Sequence, residues 1–103
     1  MPKVINESIK KDFLIKFGKH IKLLREEQNL SQSQFANKCN TNIKKVGRTE
    51  RGVYDFKISS LIVLAGGLNV SIDKLLDFEF PEGLIENFWI EEEENYQNQI
   101  ANK

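Results

Sequence analysis

Residues 31–52 read SQSQFANKCNTNIKKVGRTERG, and this stretch decides the fold class because it contains two helix starts separated by a turn. The first start is a capping box. In it, the Ser31 hydroxyl accepts from a backbone N–H three residues on, and the Gln34 side chain reaches back to the backbone N–H of Ser31. The pattern predicts a short helix over residues 32–38.

The second helix start follows a tight turn in which Asn40 is the residue best able to adopt a left-handed backbone. Asn42 is the next N-cap candidate. Gly52 stands where a left-handed C-cap glycine belongs. These signals predict a second helix over residues 43–50. Two short helices joined by about four residues form a helix-turn-helix.

Three further helices are predicted on either side of this pair. Phe13, Phe17, Ile21 and Leu24 recur at spacings of four, four and three, which places them on one face of an amphipathic helix. The predicted boundaries of the three helices are residues 8–28, 58–68 and 72–77. Five helices in this length of chain predict an all-α fold, a compact domain over residues 8–77.

The remaining residues, 78–103, are predicted to form an acidic and partly helical C-terminal extension. Apolar side chains at helical spacing precede an acidic run over residues 91–94. These apolar residues are Leu84, Ile85, Phe88 and Trp89. Two interpretations of this stripe stay open. It contacts a second copy or another protein, or it packs back on its own domain.

The formal net charge of zero hides a division of charge along the 103 residues. Residues 1–76 hold fourteen Lys and Arg against seven Asp and Glu, a surplus of seven positive charges. Residues 77–103 hold eight acidic residues against Lys103 alone, a surplus of seven negative charges. This asymmetry indicates a body that binds a polyanion and carries an acidic tail.

Several classes of protein are excluded or made improbable by the composition. No apolar run approaches the ~18 residues of a membrane span, and the first residues lack the apolar core of a signal peptide, so we expect a cytoplasmic protein. One cysteine, Cys39, and one histidine, His20, are too few for an internal disulfide or for a Cys- or His-based metal site. No phosphate loop or nucleophile–base set is visible. We therefore expect no catalytic residues, no metal, no cofactor and no enzymatic activity.

From residue 17 to residue 76 the chain resembles the Xre/Cro family of helix-turn-helix DNA-binding domains, which have the lambda-repressor-like fold. Five pieces match in order and spacing: FGKHIKLLREEQNLSQ, FANKCN, NIKKVGRTERG, KISSLIVLAGGLNV and SIDKLL. The chain departs from the family at Asn40, where Gly is usual, and at Thr41 and Thr49, where apolar residues are usual. The departures predict looser packing of the second helix of the pair, or packing that uses hydroxyl hydrogen bonds.

The resemblance also implies roles for particular residues. The base-reading residues that the resemblance implies are Asn42, Ile43, Lys44, Gly47 and Arg48. The four side chains are expected to face base edges, and Gly47 is expected to let the backbone approach the DNA. Gln32 matches a family position that bonds a backbone phosphate. Further phosphate partners, by position and charge, are Lys45, Arg51 and Lys57. Arg25 and Glu50 match a pair that bridges the first helix to the end of the third and orients the reading helix.

The function implied by the resemblance is transcriptional regulation. The protein is expected to bind a pseudo-palindromic operator in double-stranded DNA as a homodimer, and to be associated with the nucleoid when it is bound. The alternative is an antitoxin-type interaction module that binds a toxin through the C-terminal extension and autoregulates its own operon. The neighbouring gene separates these hypotheses: a toxin-like gene favours the antitoxin. A methyltransferase or endonuclease gene favours a restriction–modification controller, and phage genes favour a lysogeny repressor.

Overall fold

The computed structural model describes residues 2–55 and 57–91, which form five helices and a short two-stranded sheet. The predicted acidic run over residues 91–94 therefore lies outside the described residues except for Glu91. The helices are α1 (Glu7–Glu27), α2 (Gln32–Lys38), α3 (Ile43–Arg51), α4 (Ser59–Leu68) and α5 (Ile72–Leu75). The strands are β1 (Lys3–Ile5) and β2 (Trp89–Glu91). The five predicted helices are thus confirmed, with ends that differ from the predictions by at most two residues.

Local side-chain chemistry sets the ends of the helix-turn-helix pair. At α2, the Ser31 hydroxyl accepts from the Gln34 backbone N–H at 3.0 Å, and the Gln34 side chain accepts from the Ser31 N–H at 2.8 Å. Asn40 takes the left-handed conformation in the turn, with φ of 52°, and Gly52 ends α3 with φ of 73°. Asn42 caps α3 by accepting from the Lys45 N–H at 2.9 Å. These caps satisfy backbone groups that the helices leave unpaired.

The core lies where α1 crosses the helix-turn-helix pair and α4 closes the other side. Its largest fully buried side chains come from four of the helices: Phe17, Ile21, Phe35, Leu68 and Leu75. α1 packs chiefly against α3, whereas α2 contacts both α3 and α4. Cys39 is also buried in this core, and the burial raises the pKa of its thiol, which keeps it protonated.

α1 and α3 approach each other closely at Gly18. A methyl group at this position would overlap the backbone carbonyl oxygens of Thr49 and Glu50. Because the neighbouring atoms are backbone rather than the end of a flexible side chain, only a residue without Cβ fits there. Gly18 therefore sets the distance between α1 and α3.

Residues near the start of the chain pair with residues of the C-terminal extension in a two-stranded sheet that the sequence did not predict. β1 and β2 pair in antiparallel register, with Lys3 opposite Glu91 and Ile5 opposite Trp89. The backbone N–H of Asn6 donates to the carbonyl of Phe88 at 2.7 Å, which continues this connection to the start of α1. The described end of the C-terminal extension, residues 88–91, is thereby joined to residues 3–6.

The segment before β2 consists of turns where its spacing predicted a helix. Backbone hydrogen bonds join Asn87 to Gly83 at 2.8 Å and Leu84 to Pro81 at 3.1 Å, but they do not continue into an α-helix. Gly83 is left-handed, with φ of 70°, and this conformation interrupts a right-handed helix. The apolar residues of this segment are therefore spaced in the sequence as in a helix but lie on successive turns.

Three aromatic rings attach the beginning of the extension to α1. Phe13, Phe78 and Phe80 are in mutual contact: the ring centroid of Phe78 lies 5.5 Å from that of Phe13 and 5.0 Å from that of Phe80, and the latter two are 5.4 Å apart. The Phe78 ring also lies 6.0 Å from that of Phe17, a fourth ring. Such distances are typical of stabilising aromatic pairs. No helix in the described part of the chain is long and apolar enough to cross a membrane.

We expect Gly18→Ala to lower the free energy of unfolding even though alanine is the better helix former. Alanine gains up to ~1 kcal/mol in helix propensity, but its methyl group forces α1 away from the carbonyls of α3. Overpacking of this kind costs about 1–3 kcal/mol. Gly66→Ala is the matched control in another helix, because no heavy atom lies within 4 Å of its Cβ position.

Urea denaturation of both variants at low protein concentration measures the difference. The control is expected to be as stable as the wild type or slightly more stable. An increase in stability for both variants would contradict the role assigned to Gly18.

Candidate nucleic-acid interface

α3 has one buried side and one exposed, positively charged side. Its buried residues are Val46, Gly47, Thr49 and Glu50. At about 100° per residue, its four cationic residues fall within an arc of roughly 120° on the opposite side. These residues are Lys44, Lys45, Arg48 and Arg51, and all four are exposed. We call this surface the basic arc.

The cations of the basic arc have no carboxylate partner among residues 2–55 and 57–91. Like charges four residues apart, such as Lys44 and Arg48, repel each other on a helix surface. An arc of this kind therefore favours a ligand that supplies negative charge.

The first turn of α3 is accessible from solvent. Asn42, Lys44 and Lys45 are exposed, and Ile43 keeps 50% of its surface exposed despite its apolar side chain. The side-chain oxygen of Asn42 is engaged in capping the helix. The N-terminal part of a recognition helix is the part that enters a major groove, and here it stands clear of the domain.

A buried ion pair holds α3 against α1. The Glu50 carboxylate accepts from Arg25 Nε at 2.6 Å and from Arg25 Nη2 at 3.0 Å, and both side chains are more than nine-tenths buried. Arg25 Nη1 also donates to the Leu30 carbonyl at 2.7 Å, in the connection between α1 and α2. The hydrogen bond to Glu50 raises the pKa of Arg25, so the guanidinium stays charged.

Gln32 joins this network at the start of α2. Its side-chain Nε2 donates to Glu50 Oε1 at 3.0 Å. This bond fixes the Gln32 amide and leaves a second N–H of the same nitrogen for another acceptor. Sequence reasoning missed this contact, because nothing in the pattern of residues 32–50 relates the two side chains.

The other predicted site residues lie in different surroundings. Gly47 is buried, and a methyl group built on it would lie 3.0 Å from Arg51 Nη1, so the Arg51 side chain folds over it. It does not belong to the exposed surface of α3. Lys57 is exposed in the segment between α3 and α4.

Two further contacts stabilise α3 and the segment that follows it. One is a hydrogen bond of Thr49, and the other is an ion pair of Lys10. The Thr49 hydroxyl donates to the Lys45 carbonyl at 2.9 Å, a hydrogen bond within α3 that spans one helical turn. Lys10 Nζ lies 3.0 Å from the Asp55 carboxylate, and this pair raises the pKa of Lys10. The Lys10–Asp55 pair ties α1 to the segment that follows α3.

The residues of the predicted apolar stripe in the extension divide into two groups. Leu84 and Phe88 are half-buried and border a groove with Phe13 and Leu14 of α1. Ile85 and Trp89 are exposed, with 77% and 56% of their surfaces accessible.

A family model described as Helix-turn-helix matches residues 21–75, which is more than half of the chain. The chain belongs to the Xre/lambda-repressor-like helix-turn-helix family. The resemblance read from the sequence is confirmed, and with it the general function of a DNA-binding transcriptional regulator. Family and fold both point to a DNA-binding regulator.

Similar solved structures include regulators of the same kind. The restriction-modification controller protein C.AhdI from Aeromonas hydrophila has 31% sequence identity and a TM-score of 0.59, over 60% of this chain and 94% of that one. The controller protein C.Esp1396I, solved as a tetramer in complex with its natural 35 base-pair operator, has 29% identity and a TM-score of 0.59. That match covers 74% of this chain and 93% of the other. No curated protein gives a match.

The fold is also found in the hypothetical transcription factor NHTF from Neisseria, with 23% identity and a TM-score of 0.60 over 71% of this chain and 79% of that one. Within the described residues, no group of three or more His, Cys, Asp or Glu side chains is arranged to hold a metal ion.

We expect Arg25→Ala to destabilise the domain strongly. The substitution leaves the buried Glu50 carboxylate with Gln32 as its remaining side-chain donor. Breaking a buried ion pair by removing one partner costs about 3–5 kcal/mol. The measurement is the free energy of unfolding from urea denaturation followed by circular dichroism.

Lys10→Ala is the control for this prediction. It breaks the Lys10–Asp55 ion pair, which also bridges α1 to a distant residue but is solvent-exposed. Exposed pairs contribute little because water screens them, so the midpoint of unfolding should hardly move. Similar losses from the two substitutions would show that burial of the Arg25–Glu50 pair has no special weight.

Proposed function

We propose that the protein reads a specific operator sequence in double-stranded DNA through α3. The observation that carries this proposal is the basic arc, whose four cations are exposed and without carboxylate partners in the described part of the chain. Clustered cations on one helix face are the electrostatic signature of a protein that neutralises phosphates. The opposite side of α3 is packed in the core, so the arc has a fixed orientation.

Base reading is assigned to the exposed start and middle of α3. Lys44 and Arg48 lie four residues apart on the same side of the helix, and both side-chain types bond guanine O6 and N7 in the major groove. Ile43 is exposed beside them and suits contact with a thymine methyl group. Asn42 completes the set from the cap position. Because Gly47 is buried, we infer that it serves the packing of Arg51 rather than contact with bases.

Phosphate contacts are assigned to Gln32, Lys45, Arg51 and Lys57. Gln32 is held by Glu50 through one N–H of its amide, and the second N–H suits a phosphate oxygen. The three cations are exposed on or next to α3. Such contacts set the register of the protein on the duplex but do not carry sequence information.

We further propose that the chain binds its operator as a homo-oligomer, in the simplest case a homodimer on a pseudo-palindrome, and that it acts in the cytoplasm at the nucleoid. Two controller proteins with 31% and 29% identity to this chain support a role in the control of restriction–modification genes. One of them was solved as a tetramer on its operator. A methyltransferase or endonuclease gene beside this one would agree with that role.

Fluorescence anisotropy with a random duplex pool, followed by selection and sequencing of the bound fraction, tests the function. We expect binding that weakens steeply with salt and enrichment of a pseudo-palindromic sequence. Enrichment of a single half-site would keep the DNA-binding function and refute the dimeric operator. No binding at low salt would refute the proposal and direct attention to a protein partner of the C-terminal extension.

Arg48→Ala and Lys45→Ala are expected to act differently on the selected operator. Loss of Arg48 should cost about 1–3 kcal/mol of binding free energy and relax the preference at one base position. Loss of Lys45 should weaken binding to all duplexes about equally and reduce the slope of log affinity against log salt by about one. Anisotropy titrations over a series of salt concentrations and single-base operator variants measure both effects. Equal losses of sequence preference would contradict the division between base and phosphate contacts.

A further inference from the structure

A cavity of about 200 Å³ lies between α3 and α4. Val46 and Thr49 line it from the buried side of α3, and Val63 and Leu64 line it from α4. The turn between α2 and α3, over residues 39–41, forms another part of its wall. We call this space the α3–α4 cavity. Neither the packing of the core nor the proposed DNA contacts give it a role.

The α3–α4 cavity is also the place where the sequence departs from the pattern of its family. Asn40 stands where glycine is usual, and Thr41 and Thr49 stand where apolar residues are usual. All three residues line the cavity. Polar groups therefore replace apolar surface on the walls of one space between two helices. Departures from the rules of packing are expected at functional sites, so this concentration of departures favours a binding site.

Hydrogen-bond donors that are available for a ligand converge on the cavity. The hydroxyls of Thr41 and Ser60, which both line it, make no hydrogen bond within the part of the chain that the structure describes. Lys45 also lines the cavity, and no carboxylate of that part of the chain pairs with its ammonium group. Two hydroxyls and an ammonium together suit a ligand group that accepts several hydrogen bonds.

The charge of the cavity walls favours an anion. Among the described residues that line the cavity, Lys45 is the one that carries a charge at neutral pH. Cys39 lies in the wall as well, but its burial raises the pKa of the thiol, which therefore adds no negative charge. A carboxylate meets these conditions, because its two oxygens accept from an ammonium and from hydroxyls at the same time.

The apolar part of the wall sets the size of the ligand. An apolar cavity of about 150 Å³ holds a benzene molecule, so about 200 Å³ has room for one ring and a carboxylate group. We propose that the α3–α4 cavity binds a small monocarboxylic acid whose apolar body has about the size of one aromatic ring. The carboxylate faces Lys45, and the body packs against Val46, Val63 and Leu64.

A ligand in this cavity acts on the DNA interface through Lys45. Lys45 belongs to the basic arc and is assigned to a phosphate contact, so a carboxylate beside it competes with the DNA backbone for the same ammonium group. The binding of the acid does not depend on the proposed function, whereas this effect on DNA rests on it. We expect the bound acid to weaken the affinity for all duplexes about equally, as the loss of a phosphate contact does.

Titration of the isotope-labelled full chain with benzoate, followed through NMR chemical shifts, tests the site. The largest shifts are expected at backbone amides of the cavity wall, such as those of Thr41, Val46 and Val63. Benzyl alcohol has the same ring without the charge, and acetate has the carboxylate without the ring. Each of them should bind about tenfold more weakly than benzoate. Equal affinity for the three probes, or shifts scattered over the surface, would overturn the proposal.

Two variants and a matched control locate the ligand. Val63→Phe adds bulk at the mouth of the cavity, at a residue that is 46% exposed, and should abolish benzoate binding. Ile62→Phe makes the same kind of change at the next residue, which is 64% exposed and does not line the cavity, and should leave benzoate binding unchanged. Thr41→Val removes one hydroxyl with little change of shape and should weaken benzoate binding by about threefold to tenfold.

Circular dichroism checks that each variant is folded. Benzoate binding that survives in both Val63→Phe and Thr41→Val would overturn the proposal. Equal losses in Val63→Phe and Ile62→Phe would do the same, because they would place the ligand outside the cavity.

The effect on DNA is measured separately, by anisotropy with the selected operator at matched ionic strength. Sodium benzoate, compared with the same concentration of sodium chloride, should weaken operator binding by the wild-type chain and have no such effect on Val63→Phe. Operator binding that stays the same at saturating benzoate would overturn the competition at Lys45. A chain that binds benzoate in the cavity but binds no DNA would support the ligand site and refute the proposed function.

Discussion

The buried ion pair between Arg25 and Glu50 is the interaction on which the orientation of α3 depends. A carboxylate on the core side of a recognition helix is costly unless it is fully paired and hydrogen-bonded. Here it receives two N–H groups from one guanidinium and a third from Gln32. The same guanidinium holds the Leu30 carbonyl between α1 and α2. One side chain therefore fixes the relation of three helices, and a different orientation of α3 would leave two charges buried without partners.

The close approach of α1 and α3 at Gly18 belongs to the same arrangement. Gly18 and Arg25 are seven residues apart, which is about two helical turns, so they lie on the same side of α1. Gly18 meets the carbonyls of Thr49 and Glu50, and Arg25 meets the Glu50 side chain. The glycine sets the distance between the helices and the ion pair sets their rotation. Together they determine that Val46 and Thr49 face the core and that the basic arc faces solvent.

The helix-turn-helix pair could be predicted from the sequence because its signals are local. Ser31 with Gln34, and Asn42 with Gly52, act within a few residues of each other. The structure places each of them as a cap. The Arg25–Glu50 pair was available through the family resemblance, since its partners are 25 residues apart and no periodic pattern joins them.

What could not be predicted depends on contacts between distant parts of the chain. β1 and β2 have three residues each, which is too short for an alternating pattern to be recognised. Leu84 and Phe88 are four residues apart, which is the spacing of a helical stripe, but the backbone between them forms turns. The burial of Gly47 follows from the path of the Arg51 side chain, which sequence spacing does not reveal.

α3 is a weak helix by its own composition, and this weakness bears on how the site works. It has nine residues, an internal glycine, a β-branched Thr49 and four cations on one side. Helices this short are marginal in water without tertiary contacts, and the repulsion within the basic arc lowers the stability of α3 further. Its conformation is therefore maintained by the scaffold, through Val46, Thr49 and the Arg25–Glu50 pair. A polyanion that neutralises the basic arc removes this repulsion and stabilises the folded state by linkage. The basic arc therefore lowers the stability of the free domain and favours its complex with DNA.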